Sequence, residues 1–125
     1  MSAIATKNLI AIVDDDELVR GALQRLLRAS GLGAVSFGSA EDLLKSGQLP
    51  YFACLIVDIR MPGMSGLELQ AKLKAERCRT PIIFITAHGD AKMRTQATRD
   101  GAVKFLAKPF DNAVLLEAVH AALGD

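Results

Sequence analysis

Hydrophobic positions fall into five short runs, and between the runs the apolar spacing switches to steps of three and four. The first run, Leu9-Ile10-Ala11-Ile12-Val13, stops at Asp14. Beyond it, Leu18, Val19, Ala22, Leu23, Leu26 and Leu27 share one face of a predicted helix. Gly31 and Gly33 close that helix, and Ala34-Val35-Ser36-Phe37 reads as a second, shorter strand. Ser39 precedes Asp42 with the spacing of a capping box, which predicts a short helix around Leu43 and Leu44. The third strand, Ala53-Cys54-Leu55-Ile56-Val57, ends at Asp58. Ser65 and Glu68 repeat the capping spacing and open a helix that buries Leu69 and Leu73. Thr80-Pro81 leads into Ile82-Ile83-Phe84-Ile85-Thr86, and the stretch from Asp90 to Asp100 follows until Gly101 breaks it. Ala102-Val103-Lys104-Phe105-Leu106-Ala107 is the fifth run, closed by Lys108-Pro109. Asp111 starts a last helix with Val114, Leu115, Ala118, Val119, Ala122 and Leu123 on its apolar face.

Strands apolar on both faces, alternating strictly with helices, predict an α/β fold with a central parallel sheet covered on each side. No linker, repeat or low-complexity stretch interrupts the alternation, so the expectation is one domain over residues 1–125 with its core at about 8–123. A chain of 125 residues, half of them hydrophobic, can build such a core.

Composition removes several function classes. The net charge is +1 and the basic residues are scattered, which argues against a large nucleic-acid footprint. With no Trp and one Tyr there is little material for stacking on bases. Cys54 and Cys78 lack the spacing of a metal site or a disulfide framework, so core packing and a plain surface thiol are expected. No apolar run approaches the length of a membrane span. Met1 to Asn8 lack the layout of a signal peptide, and a cytoplasmic protein is expected.

The residues at the carboxyl ends of the long strands are Asp14 with Asp15, then Asp58, Thr86 and Lys108. In a parallel sheet all these ends share one edge. If the strands take the order 2-1-3-4-5, a flavodoxin-like order, the first and third are neighbours and the three carboxylates meet. Such a cluster needs a counter-charge to stay ionised. Mg²⁺ fits, because it takes oxygen ligands and keeps several waters. A lysine and a hydroxyl beside a metal-bound carboxylate are the parts for phosphoryl transfer to that carboxylate.

With these residues marked, the chain resembles the receiver domains of two-component response regulators, CheY-like in fold and of the NarL/FixJ type. The motifs that carry the resemblance are Ile12-Val13-Asp14-Asp15-Asp16, Val57-Asp58-Ile59-Arg60-Met61-Pro62-Gly63-Met64-Ser65-Gly66, Ile85-Thr86-Ala87-His88-Gly89-Asp90 and Lys104-Phe105-Leu106-Ala107-Lys108-Pro109-Phe110. The resemblance implies that Asp58 is the phosphoacceptor, served by a histidine kinase. Asp14, Asp15, Asp58 and the backbone carbonyl of Arg60 would hold Mg²⁺. Thr86 and Lys108 would bind the phosphoryl oxygens, and Phe105 would be the aromatic switch that turns inward as Thr86 moves. It further implies a cis Lys108-Pro109 bond and a face of the fourth helix, fifth strand and fifth helix that dimerises on phosphorylation or docks an effector. That effector, a LuxR-like DNA-binding domain, would lie outside this chain.

Each residue also has an ordinary reading. Asp14 and Asp15 could simply precede a helix capped by Asp16. Thr86 could be a strand former, Lys108 a solvated lysine before a turn, Phe105 a half-buried aromatic and His88 an exposed loop residue. Small Ala87 leaves room beside Thr86, while Arg60 and His88 sit where they could shield or orient attacking water. The stretch Ala91 to Asp100 has only Met93 and alanines as apolar anchors and is expected to be easily displaced. A haloacid-dehalogenase-like phosphatase is the rival, but its DxDxT pattern has Leu18 where a hydroxyl is needed. A flavodoxin-like flavin binder would place its phosphate against Asp15, Asp16 and Glu17, which would repel it.

Overall fold

The computed structural model describes residues 9–87 and 91–124. Its elements are β1 (Leu9–Val13), α1 (Glu17–Ala29), β2 (Gly33–Phe37), α2 (Ala40–Lys45), β3 (Cys54–Asp58), α3 (Gly66–Ala75), β4 (Ile82–Thr86), α4 (Ala91–Arg99), β5 (Lys104–Ala107) and α5 (Asn112–Leu123). A single 3₁₀ turn, Leu49–Tyr51, precedes β3. The five strands form one parallel sheet in the order β2-β1-β3-β4-β5, as the sequence pattern predicts.

Side chains alternate across the sheet and build two cores. Ile10, Ile12, Ile56, Ile83 and Ile85 face α1 and α5, where they meet Leu23, Leu27, Leu115 and Val119. Ala11, Val13, Leu55, Val57 and Phe84 face the other way, against Leu43 of α2, Leu69 and Leu73 of α3 and Ala97 of α4. Each large aliphatic side chain withdrawn from water contributes about 1.5–3 kcal/mol, so the central strands anchor the fold. Every residue of β3 and β4 is buried, whereas β2 and β5 are partly open as edge strands.

The caps expected from the sequence form. Ser65 Oγ accepts from Glu68 N at 3.1 Å while Glu68 Oε1 accepts from Ser65 N at 2.9 Å, a complete capping box. Ser39 accepts from Asp42 N, and Asp16 and Asp111 cap α1 and α5. The Lys108-Pro109 bond is cis.

Three details differ from the sequence reading. Leu18 is 83% exposed, because the stripe of α1 that packs on the core runs through Val19, Leu23, Leu26 and Leu27 and leaves Leu18 to one side. Val114, in the first turn of α5, is also exposed. Cys78 is half-buried against the α3 side, with its sulfur 3.3 Å from Thr80 Oγ1, rather than a plain surface thiol. Cys54 lies in the core as expected, and burial pushes its thiol up to about 12. The expected helix start at Asp90, and His88, fall outside the described residues.

Candidate functional site

The carboxyl edge of the sheet gathers the chemistry because parallel strands end together there. Asp14 follows β1 directly, Asp58 ends β3, Thr86 ends β4 and Lys108 follows β5. Backbone bonds extend the ladder beyond these ends: Asp14 N donates to Phe37 O at 3.1 Å, Ile59 N to Ile85 O at 3.2 Å and Lys108 N to Thr86 O at 2.9 Å. The functional side chains therefore start from rigid backbone rather than from free loops.

Asp14, Asp15 and Asp58 each offer a carboxylate oxygen, and these oxygens lie within 4.8 Å of one another. Asp14 and Asp58 are buried and Asp15 is exposed. Two of the acids use one oxygen to hold their own loop. Asp14 Oδ1 accepts from Asp16 N at 2.8 Å, and Asp58 Oδ1 accepts from Arg60 N at 3.3 Å. Their other oxygens turn to one ammonium: Lys108 Nζ is 2.9 Å from Asp14 Oδ2 and donates to Asp58 Oδ2 at 3.1 Å.

Sharing one cation between two buried acids leaves the site short of positive charge. Burial raises the Asp58 carboxyl above the ordinary carboxylate value, and the charge of Asp14 adds to this, while the hydrogen bond from Lys108 pulls the other way. Burial would lower the Lys108 ammonium, but its contacts with Asp14 and Asp58 outweigh that and hold it above the usual lysine value. Asp14 Oδ2, despite its ion pair, is a buried oxygen without a hydrogen bond of good geometry. An all-oxygen set with an under-satisfied buried oxygen fits a hard divalent cation such as Mg²⁺.

The other predicted residues land around this centre. Thr86 is buried at the end of β4, in register with Ala107. Arg60 opens the loop after β3, and its guanidinium reaches Met93 of α4, with Nη2 3.9 Å from the sulfur. Phe105 stands apart, half-buried on β5 beside Phe84 and under the guanidinium of Arg94. Asp14, Asp15, Asp58 and Lys108 thus converge, Thr86 borders them, and Phe105 faces α4.

Several contributors were not legible in the sequence. Glu41, in the first turn of α2, accepts from Met64 N at 2.9 Å and so clamps the loop that follows Asp58. That backbone bond holds the Glu41 carboxyl below its ordinary value. Gly63 has φ +76°, and a Cβ there would lie 2.5 Å from Glu41 Oε2, so the clamp needs this glycine. A Cβ at Gly66 would fall 2.6 Å from Asp58 O, so only glycine lets α3 start against the phosphoacceptor candidate. Arg20 Nη1 donates to Asp14 O at 2.7 Å and steadies the first acidic turn. The sequence signal for the loop was its Pro62-Gly63 pair, but nothing in it identified Glu41 as the partner.

Beside the cluster lies an apolar groove lined by Leu18, Ala22, Ala87, Lys108, Pro109 and Phe110. The exposed Leu18 therefore stands at the rim of the acidic site rather than at random on the surface.

Comparison with known proteins gives a consistent picture. The family model of the response regulator receiver domain matches residues 10–120. Nodulation protein W of Bradyrhizobium diazoefficiens is 46% identical over 118 residues, which cover 94% of this chain and 52% of that protein. The transcriptional regulatory protein FixJ of Azorhizobium caulinodans is 42% identical over 115 residues, 92% of this chain and 54% of that one. The crystal structure of FixJ-N is 39% identical with a TM-score of 0.83, and the match covers 93% of each chain. The chain spans about half the length of the curated relatives it matches.

Proposed function

The chain belongs to the response regulator receiver domains of two-component systems, and from that premise we propose that Asp58 accepts a phosphoryl group from a phosphohistidine of a sensor kinase. The observation that carries this reading is the Lys108 ammonium held between Asp58 and Asp14 at the end of a parallel sheet. An Asp58 carboxylate oxygen attacks the phosphorus, a P–O bond forms, and the P–N bond to the donor imidazole breaks. The donor nitrogen leaves with the electron pair and takes up a proton. Asp14, Asp15, Asp58 and the Arg60 carbonyl would hold Mg²⁺, which when bound supplies positive charge for the phosphoryl oxygens. Lys108 exchanges its bond to Asp58 for one to a phosphoryl oxygen, and Thr86 donates its hydroxyl to another. Water later attacks the phosphorus, the bond from phosphorus to the Asp58 oxygen breaks, and inorganic phosphate leaves as the carboxylate is restored. The domain is a regulator: its own modification and its reversal are the only chemistry it carries out.

Residues 1–125 then form one receiver domain with its core at about 8–123. Inward rotation of Phe105 couples Thr86 to the face of α4, β5 and α5, which dimerises or docks an effector. Because FixJ is a transcriptional regulatory protein, a transcriptional output through a DNA-binding domain outside this chain is the natural partner. A cytoplasmic site of action follows from a kinase donor, and among the described residues no helix is long and apolar enough to cross a membrane. The haloacid-dehalogenase alternative loses support, since Leu18 occupies the place of its hydroxyl residue and faces solvent.

Incubation with acetyl phosphate and Mg²⁺ tests the proposal. One alkali-labile phosphoryl adduct per chain is expected, absent in Asp58→Asn. Steady turnover of phosphomonoesters that survives Asp58→Asn would overturn it.

A further inference from the structure

We propose that Arg94 is a positioning residue that keeps Phe105 outward while Asp58 is unphosphorylated, an inference that rests on the receiver reading above. The Arg94 guanidinium carbon lies 5.3 Å from the centre of the Phe105 ring, within the range of a cation–π contact. Arg94 is exposed on α4, and Phe105 is half-buried on β5. The pairing matters because the apolar packing of α4 is thin. Of its nine residues only Ala97 is buried, and Met93 is its partly buried apolar companion. The guanidinium thus ties α4 to the edge strand where hydrocarbon packing is thin.

The stack fits the outward position of the ring and not an inward one. Thr86 lies on β4 two residues beyond Phe84, the register partner of Phe105. A ring that turns inward toward Thr86 leaves the guanidinium and forfeits the contact. An interaction made in one of two states biases their balance by its own strength. For a cation–π contact at an exposed site this amounts to about two- to fivefold. Arg94 therefore acts as a brake on the switch without touching the reacting atoms.

The test compares the wild-type chain with Arg94→Gln, Arg94→Lys, Phe105→Leu and the double variant Arg94→Gln/Phe105→Leu. The readouts are the initial rate of Asp58 labelling by acetyl phosphate with Mg²⁺, and the resonance of 4-fluorophenylalanine placed at Phe105. Arg94→Gln is expected to label about two- to fivefold faster, because phosphodonors react faster when Thr86 is already in reach. Arg94→Lys should fall between it and wild type. In the Phe105→Leu background the Arg94→Gln effect should vanish, the signature of direct coupling. The fluorine signal of the unphosphorylated Arg94→Gln chain should shift. Equal acceleration in both Phe105 backgrounds, or an unmoved fluorine signal, overturns the assignment. A wild-type chain that takes no phosphoryl group overturns the receiver reading instead, and the fluorine signal then still decides whether Arg94 positions the ring.

Discussion

The Asp58 carboxyl is raised above the ordinary value of 3.8 by burial and by Asp14, so the fold holds its charged form at a disadvantage. Stability contributed at this position is therefore greatest in acid, where Asp58 is protonated in both states. It declines as pH rises from the ordinary carboxylate value through the raised native one, and levels off above. In metal-free buffer, Asp58→Asn should be more stable than wild type at neutral pH by about 1 kcal/mol, the common gain when an active-site group is relieved. That gain should shrink toward pH 3. Thermal melts across this range check the sign, and a less stable variant at pH 7 would contradict the account. Lys108 runs the other way: its raised value means that its ion pairs stabilise the fold wherever the partner carboxylates are charged and the pH is below the usual lysine range, and that stabilisation is lost as pH climbs through the raised value.

Among the elements, α4 differs from its neighbours in being fastened by directional contacts. Gln70, 3% exposed on α3, donates Nε2 to Ala97 O at 3.0 Å, while its Oε1 is buried without a partner. A buried amide half-satisfied in this way adds little net stability, because the orphan oxygen offsets the bond. Gln70→Leu removes both, and is expected to leave global stability within about 1 kcal/mol of wild type while amide exchange in residues 91–99 quickens relative to α3. Equal protection in the two proteins would show that the amide does not secure the helix. The weakness of α4 was visible in its sequence, which lacks an apolar stripe. The caps at Ser39, Ser65 and Asp111 were visible too, since their partners lie within a few residues. Gln70, Glu41 and Arg94 were not, because their partners are 27, 23 and 11 positions away and only the folded sheet brings them near.

At the scale of the molecule, strand order and the meeting of Asp14, Asp58 and Lys108 were legible because a parallel sheet forces strand ends onto one edge. The exposure of Leu18 was not, since periodicity places it on the apolar face and does not fix that the packed stripe centres on Val19 and Leu23. Its position on the groove beside Lys108 and Ala87 suits a surface that a protein donor covers and a small phosphodonor does not. Leu18→Ser should therefore lower phosphotransfer from a cognate kinase about tenfold, the loss expected for an apolar contact worth about 1–2 kcal/mol. Labelling by acetyl phosphate should stay unchanged. Parallel losses with both donors would mean that the substitution damages the site itself.

The shared position of Lys108 also sets a clock. Its ammonium already stands within hydrogen-bond distance, 3.1 Å from Oδ2, of the carboxylate proposed to take the phosphoryl group. Exchanging partners takes a side-chain rotation, on the order of nanoseconds, whereas displacing a helix takes about microseconds to milliseconds. Under the proposed function, the modified centre would thus settle long before the surface answers. The delay between them would belong to α4, so signal duration and response time would be tuned by different residues.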